Sequence, residues 1–172
     1  MRRIFYWQVA GFLAVSVLGT LLHFLYDWTN QSLAASFVSA VDESTFQHMK
    51  LFFVSFWLFT VVEAWFLNGE TPYFWGIKLK SVLLGLILIP VLYYTYTGVF
   101  GVNADWFNIT IFYFSVALSF FVETKSFLQN KKCIISENVA KLGFILLAVV
   151  FVIFTFSPPE IPLFEDPTKY RI

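Results

Sequence analysis

The residues best suited to chemistry gather at two levels of the chain. His23 and Asp27 are four residues apart, so on a helix they share one face. Glu43 and His48 bracket the start of the next apolar run, and Asp42 and Asp105 fall at a similar depth. Imidazole nitrogens and carboxylate oxygens are the donor set of Zn²⁺, Mn²⁺ and Fe²⁺ sites. The chain has two histidines, and both belong to this group. A divalent metal such as Zn, held by His23, Asp27, Glu43 and His48, is the sharpest reading of these residues. Neither H-E-x-x-H nor E-x-x-H spacing accompanies them. The plainer reading is a polar cap. Asp27 could cap the segment after the first helix, and Glu43 could favour the second helix's N-terminus through its dipole.

Glu63 stands apart from that group. It lies fifteen residues beyond His48, which is about 22 Å along a helix. It sits one turn inside an apolar run, where an ionisable group is costly. With Glu123, at the same depth, it could form a proton or cation site. The alternatives are that Glu63 pairs with Lys78 or Lys80, and that Glu123 is interfacial beside Lys125. For Glu123 the interfacial reading is preferred. Other chemistry is sparse: there is no G-x-S-x-G elbow and no glycine loop to cradle phosphate. The single cysteine, Cys133, excludes an internal disulfide framework.

The elements that must position these residues are written in the composition. Of 172 residues, 59% are hydrophobic and 13% charged, with a mean hydropathy of +0.74. Soluble domains carry about twice that charge, so the chain lacks the polar surface to cover a water-soluble globule. Eleven basic residues balance eleven acidic ones, leaving no global field to draw nucleic acid. Five apolar stretches approach the length of a helical span, near residues 4–26, 49–67, 81–100, 106–122 and 139–156. They are continuous rather than alternating, and in lipid that means helices. The first is too long for a signal-peptide core and reads as a retained span.

The expected fold is therefore all-α, an integral membrane bundle of five transmembrane helices over 1–157, with a proline-rich tail over 158–172. Arg2, Arg3, Lys78, Lys80, Lys125, Lys131 and Lys132 all fall on one side of such a bundle. The loops 27–47 and 101–105 contain no Lys or Arg. The positive-inside rule then places the N-terminus in and the C-terminus out. Lys50, Lys169 and Arg171 are exceptions, and Lys50 is expected to snorkel to the interface.

Local signals agree with these spans. Ser44 with Gln47 reads as a capping box opening the second helix, and Asp105 as a cap for the fourth. The segment 32–41 reads as a short interfacial helix. Pro90 is expected to kink the third span beside a cavity. Gly11, Gly19, Gly85 and Gly143 are expected at close helix contacts. The 23 Phe residues are read as lipid-facing or packing groups. The tail is expected to be extended, without helix.

Three stretches also carry a resemblance. They are His23-Phe24-Leu25-Tyr26-Asp27-Trp28, Asp42-Glu43-Ser44-Thr45-Phe46-Gln47-His48-Met49-Lys50, and the tail from Pro158 to Pro167. Together they resemble a family of small bacterial multi-pass membrane proteins with no assigned activity. That family has an N-E-S-x-W-E-H-x-K-like start to helix two and a P-P-x-x-P-L-F-x-D-P tail. The resemblance covers essentially the whole chain and carries over His23, Glu43, Ser44, His48, Lys50 and Glu63. Phe46 and Gln47 stand where the family tends to have Trp and Glu, so a ligand or base at the latter position would be missing here. The resemblance implies the bacterial cytoplasmic membrane.

Three functions remain in view. The first is a binding or accessory protein, in contact with membrane lipid and with a second copy or another membrane protein. The second is an intramembrane metalloprotein, a hydrolase among the options, using His23, Glu43 and His48. The third is a proton- or ion-coupled transporter of small solutes using Glu63.

Overall fold

The computed structural model describes residues 2–129 and 133–170. Lys131, Lys132 and Arg171, which entered the charge reading, lie outside the described residues. Five long helices account for most of the chain: α1 (Arg2–Trp28), α3 (Thr45–Leu67), α4 (Phe74–Phe100), α5 (Asp105–Leu128) and α6 (Glu137–Phe156). A single turn of helix, α2 (Leu33–Ser36), bridges α1 and α3. Among the described residues there is no strand. All five long helices are long and apolar enough to cross a membrane.

Each helix outruns the apolar stretch that announced it, because the stretches end where polar residues begin and the helices do not. α4 starts at Phe74, so Lys78 is not in a loop but within the bundle. The capping signals hold in part. Ser44 Oγ accepts from the Gln47 amide at 3.3 Å, while Asp42 Oδ1 takes the Ser44 amide at 2.9 Å. That second bond replaces the reciprocal half of a capping box. Asp105 is not the cap of α5: Ala104 holds that position, and Asp105 lies in the first turn. There its charge complements the helix dipole. α4 ends at Gly101, whose φ of 67° is the left-handed conformation that helix ends favour.

α3 is the centre of the bundle, packing against α1, α4, α5 and α6. Buried residues make up 61% of its apolar window, against 17–33% in the other four. Its Phe52, Phe53, Phe56 and Phe59 interlock with Phe120 of α5 and Phe144 and Phe151 of α6. Such packing requires close backbone approach, which the glycines supply. A Cβ on Gly85 of α4 would lie 2.7 Å from Ser119 Oγ of α5 and against the Phe52 ring. Gly11, Gly19 and Gly143 likewise face Phe120, Phe112 and Leu79.

The polarity is the reverse of a soluble protein's. Lys50, Lys78, Glu63 and Glu123 are fully buried, while Leu13, Val17, Ile87 and Phe121 are more than half exposed. A lipid surrounding favours this distribution, since apolar side chains can face it and charges cannot.

The tail departs from the extended segment expected of it. It forms 3₁₀ turns at Pro162–Phe164 and Pro167–Tyr170. The first turn packs on α3, where the Phe164 ring lies 4.4 Å from that of Phe46. An apolar residue in a proline-rich stretch can dock where its backbone has no helix to join.

The close α4–α5 contact yields a stability prediction. Gly85→Leu overpacks it and should cost about 1–3 kcal/mol. Gly98→Ala, whose added Cβ meets nothing within 4 Å, should be neutral or slightly stabilising. Unfolding of the two variants in detergent would compare them directly.

Candidate functional site

At the end of the bundle where α1 finishes and α3 begins, three segments place His23, Glu43 and His48 together. Each offers one ligand atom within 4.8 Å of the others. His23 comes from α1, Glu43 from the loop after α2, and His48 from the first turn of α3. The Glu43 carboxylate straddles both rings: Oε1 is 3.5 Å from His23 Nε2 and Oε2 is 3.6 Å from His48 Nε2. The imidazole centroids are 5.6 Å apart.

Second partners orient this group. His48 Nδ1 lies 2.9 Å from the Ser44 carbonyl oxygen. A carbonyl only accepts, so Nδ1 carries the hydrogen. In the neutral ring, Nε2 then turns a lone pair toward a carboxylate oxygen. That leaves Nε2 as the nitrogen that could take a metal ion beside the carboxylate. A backbone carbonyl on the far nitrogen is also how metal-ligating histidines are usually held. Ligand atoms on a tetrahedron with bonds near 2.1 Å are about 3.4 Å apart, so the three side chains, whose ligand atoms lie within 4.8 Å of one another, would draw closer around an ion.

Not every expected ligand joins the set. Asp27 is exposed at the end of α1 and outside the converging group. It follows His23 by four residues, but the group faces the bundle while Asp27 does not. Asp105 lines the cavity beside the group without being one of the three.

That cavity has a volume of about 530 Å³ and is lined by all three residues. Its other walls are mixed. Phe112, Ile111 and Ile89 are apolar, while Tyr113, Asn103 and Asn108 bring polar atoms. Tyr113 and Thr20 share a hydrogen bond of 2.8 Å across α5 and α1. Asn108 Nδ2 donates to Asn103 Oδ1 at 2.8 Å, and the Tyr96 hydroxyl donates to the same oxygen at 3.1 Å. Pro167 and Thr168 of the tail also reach the cavity.

The other end of the bundle holds a second polar centre. Lys78 of α4 forms ion pairs with Glu63 of α3 and Glu123 of α5, and all three side chains are fully buried. Gln8 of α1 donates to Glu63 Oε1 at 2.8 Å. The rings of Phe56, Phe59, Phe74 and Phe120 lie 5.2–5.7 Å from the Lys78 ammonium. Four helices thus contribute to one desolvated charge cluster, and ring faces add cation–π attraction.

This centre corrects one expectation and extends another. Glu123 is not an interfacial partner of Lys125 but a buried partner of Lys78. Four of the phenylalanines read as packing groups do pack in the core, and their rings also surround a charge, which the sequence reading did not include. Neither could be read from a single sequence, since the lysine is fifteen positions from Glu63 and forty-five from Glu123. The legible part was Glu63, inside an apolar run, with Lys78 among its candidate partners.

Lys50 is another correction. It is fully buried rather than snorkelling to an interface. Its ammonium donates to the Ser36 carbonyl at 2.9 Å and to Thr155 Oγ1 at 3.0 Å. It thereby ties the short α2 and the end of α6 to α3. A flexible lysine finds these partners inside only because the loop after α1 folds back over the bundle.

Removing the ammonium between two buried carboxylates should be costly. Lys78→Met is expected to lose about 3–5 kcal/mol, read as easier unfolding in detergent or SDS. An unchanged unfolding curve would mean the pairs contribute nothing to the folded state.

Comparison with known proteins adds one identification. The chain matches, across residues 1–172, a family described as a family of unknown function (DUF6512), and it belongs to that family. No curated protein and no solved structure matches it.

Proposed function

We propose that this member of the DUF6512 family is a membrane metalloprotein. In this reading it binds one divalent transition metal through His23, Glu43 and His48. Zinc suits the donors, two imidazoles and a carboxylate. The observation that carries the proposal is the convergence of three ligand atoms from separate segments, with His48 Nδ1 held by a backbone carbonyl. Three protein ligands leave a tetrahedral metal one open position, the mark of a catalytic rather than a structural site. The 530 Å³ cavity adjoins all three ligands. A water or substrate oxygen in that position would be polarised by the metal, so metal-assisted hydrolysis is the reaction class.

The placement in the cell is part of the same reading. The five long helices cross the bilayer with the N-terminus inside, as Arg2, Arg3, Lys80 and Lys125 favour. Lys78 drops out of that count because it is buried. The motif resemblance supports a bacterial cytoplasmic membrane. The metal site then opens toward the outer face, and the cavity can take a ligand from that side or from lipid.

The test is elemental analysis of protein purified in detergent without a polyhistidine tag or chelator. Wild type should carry about one Zn, Mn or Fe per chain, by the one-site geometry. His48→Ala should lose it while eluting as wild type does in gel filtration. Metal-free wild type that also fails to take up added Zn²⁺ would overturn the proposal. The three residues would then be a polar cap, and the cavity would remain for a binding or accessory role.

A further inference from the structure

The buried centre around Lys78 does not balance its charge. It contains one ammonium and two carboxylates, all fully buried. Among the described residues, the other charges near that end are engaged elsewhere or exposed. On α1, Arg3 pairs with Glu70, and Gln8 is neutral. On α4 and α5, Lys80 and Lys125 are exposed. On α6, Lys141 lies over the Trp75 ring at 5.5 Å, and Glu137 accepts from the Trp75 amide. With every group ionised, the cluster would carry one uncompensated negative charge in an apolar interior. Such a charge costs several kcal/mol even after relaxation, roughly. Two carboxylates sharing one site relieve that cost by sharing a proton.

The geometry shows where a proton fits. Glu123 Oε2 is buried and outside the ion pair with Lys78, and the neutral Gln8 side chain is its other polar neighbour. The Lys78 ammonium already occupies the space between the two carboxylates. Phenylalanine rings enclose it on other sides, so a metal cation would have to displace the ammonium. A proton on a carboxylate oxygen needs no further ligands and brings the net charge to zero.

A seam of buried side chains, polar at its serines and apolar at Ile89 and Ile111, runs from the same centre toward the cavity at the opposite end. On α5, Glu123, Ser119, Ser115 and Ile111 recur every four residues, and on α4, Lys78, Ser81, Gly85 and Ile89 recur every three or four. Each series therefore lies on one helix face. The two faces meet where Gly85 approaches Ser119. Ser81, Ser115 and Ser119 are buried, and their hydroxyls have no partner. Ile89 and Ile111, at the far end of the series, line the cavity. Unpartnered hydroxyls stacked along a glycine-spaced seam are poor stabilisers, but they can hand a proton or a transient water from one to the next.

We propose that Glu63, Lys78 and Glu123 form a proton-binding site, and that the α4–α5 serine seam connects it to the cavity. The site takes up one proton per chain onto a glutamate oxygen and releases it along the seam. Its ligand is the hydrogen ion, and the proposal stands whether or not a metal occupies His23, Glu43 and His48.

Infrared spectroscopy reads this directly. Whole protein in dodecyl maltoside, which has no ester or carboxyl carbonyl, is measured at neutral pH in H₂O and D₂O. Wild type should show the carbonyl stretch of a protonated carboxylic acid, shifted in D₂O. Glu63→Gln and Glu123→Gln should each abolish it, since either leaves one carboxylate opposite one ammonium. Ser119→Ala should keep the band but slow its H/D exchange at least about tenfold. A wild-type spectrum without the band overturns the site, and needs no variant to do so. A band retained in both glutamine variants also overturns it. Unchanged exchange in Ser119→Ala overturns the seam as its path.

Discussion

A charge cannot be left alone in an apolar interior, and much of this bundle is organised around that constraint. Lys78 meets Glu63 and Glu123, and Gln8 completes the contact from a fourth helix. Desolvating these groups is expensive, and the expense is recovered only if the geometry is right. The pairing therefore sets the axial register of α1, α3, α4 and α5 relative to one another. Lys50 plays a smaller part of the same kind, joining α2, α3 and α6 through neutral acceptors. In lipid, where apolar packing alone discriminates weakly between registers, such polar contacts are specific in a way that Leu or Phe contacts are not.

Packing then fills the space the charges define. Phe side chains are large and rigid, so they need a facing gap of matching size. Gly85, Gly11 and Gly19 provide such gaps opposite Phe52, Phe120 and Phe112. The rings that surround the Lys78 ammonium belong to the same aromatic core. One set of residues thus packs the helices and tempers a buried charge. The tail contributes Phe164 to the opposite end of that core.

The two polar centres differ in what surrounds them. The one at Lys78 is sealed, with every partner fully buried. The one at His23 and His48 is about three-quarters covered and adjoins a cavity. A sealed centre suits a small, mobile ligand, and an open one suits a bound ion with a vacant position and a substrate. Proton storage at one end and metal chemistry at the other would use the same four helices.

Some of this was determined by sequence alone. Continuous apolar runs of span length pointed to helices, the form such runs take wherever backbone groups can find no other partner, and five long helices are what the chain forms. Ser44 marked the start of α3 and the four glycines marked close contacts, since capping and small size are local properties. The two histidines were notable by scarcity, and Glu63 by its place in an apolar run. Tertiary structure decided the rest. It brought Glu43 from a loop to both imidazoles and left Asp27, four residues from His23, exposed. It buried Lys78 within the bundle, where it meets Glu63 as one of the sequence alternatives had it, and drew Glu123 from the interface to the same ammonium. It buried Lys50 and docked the tail. These outcomes depend on which helices are neighbours and at what register, and no local pattern in one chain encodes that. They follow from a global condition, that every buried charge find its partner while every aromatic ring finds a gap.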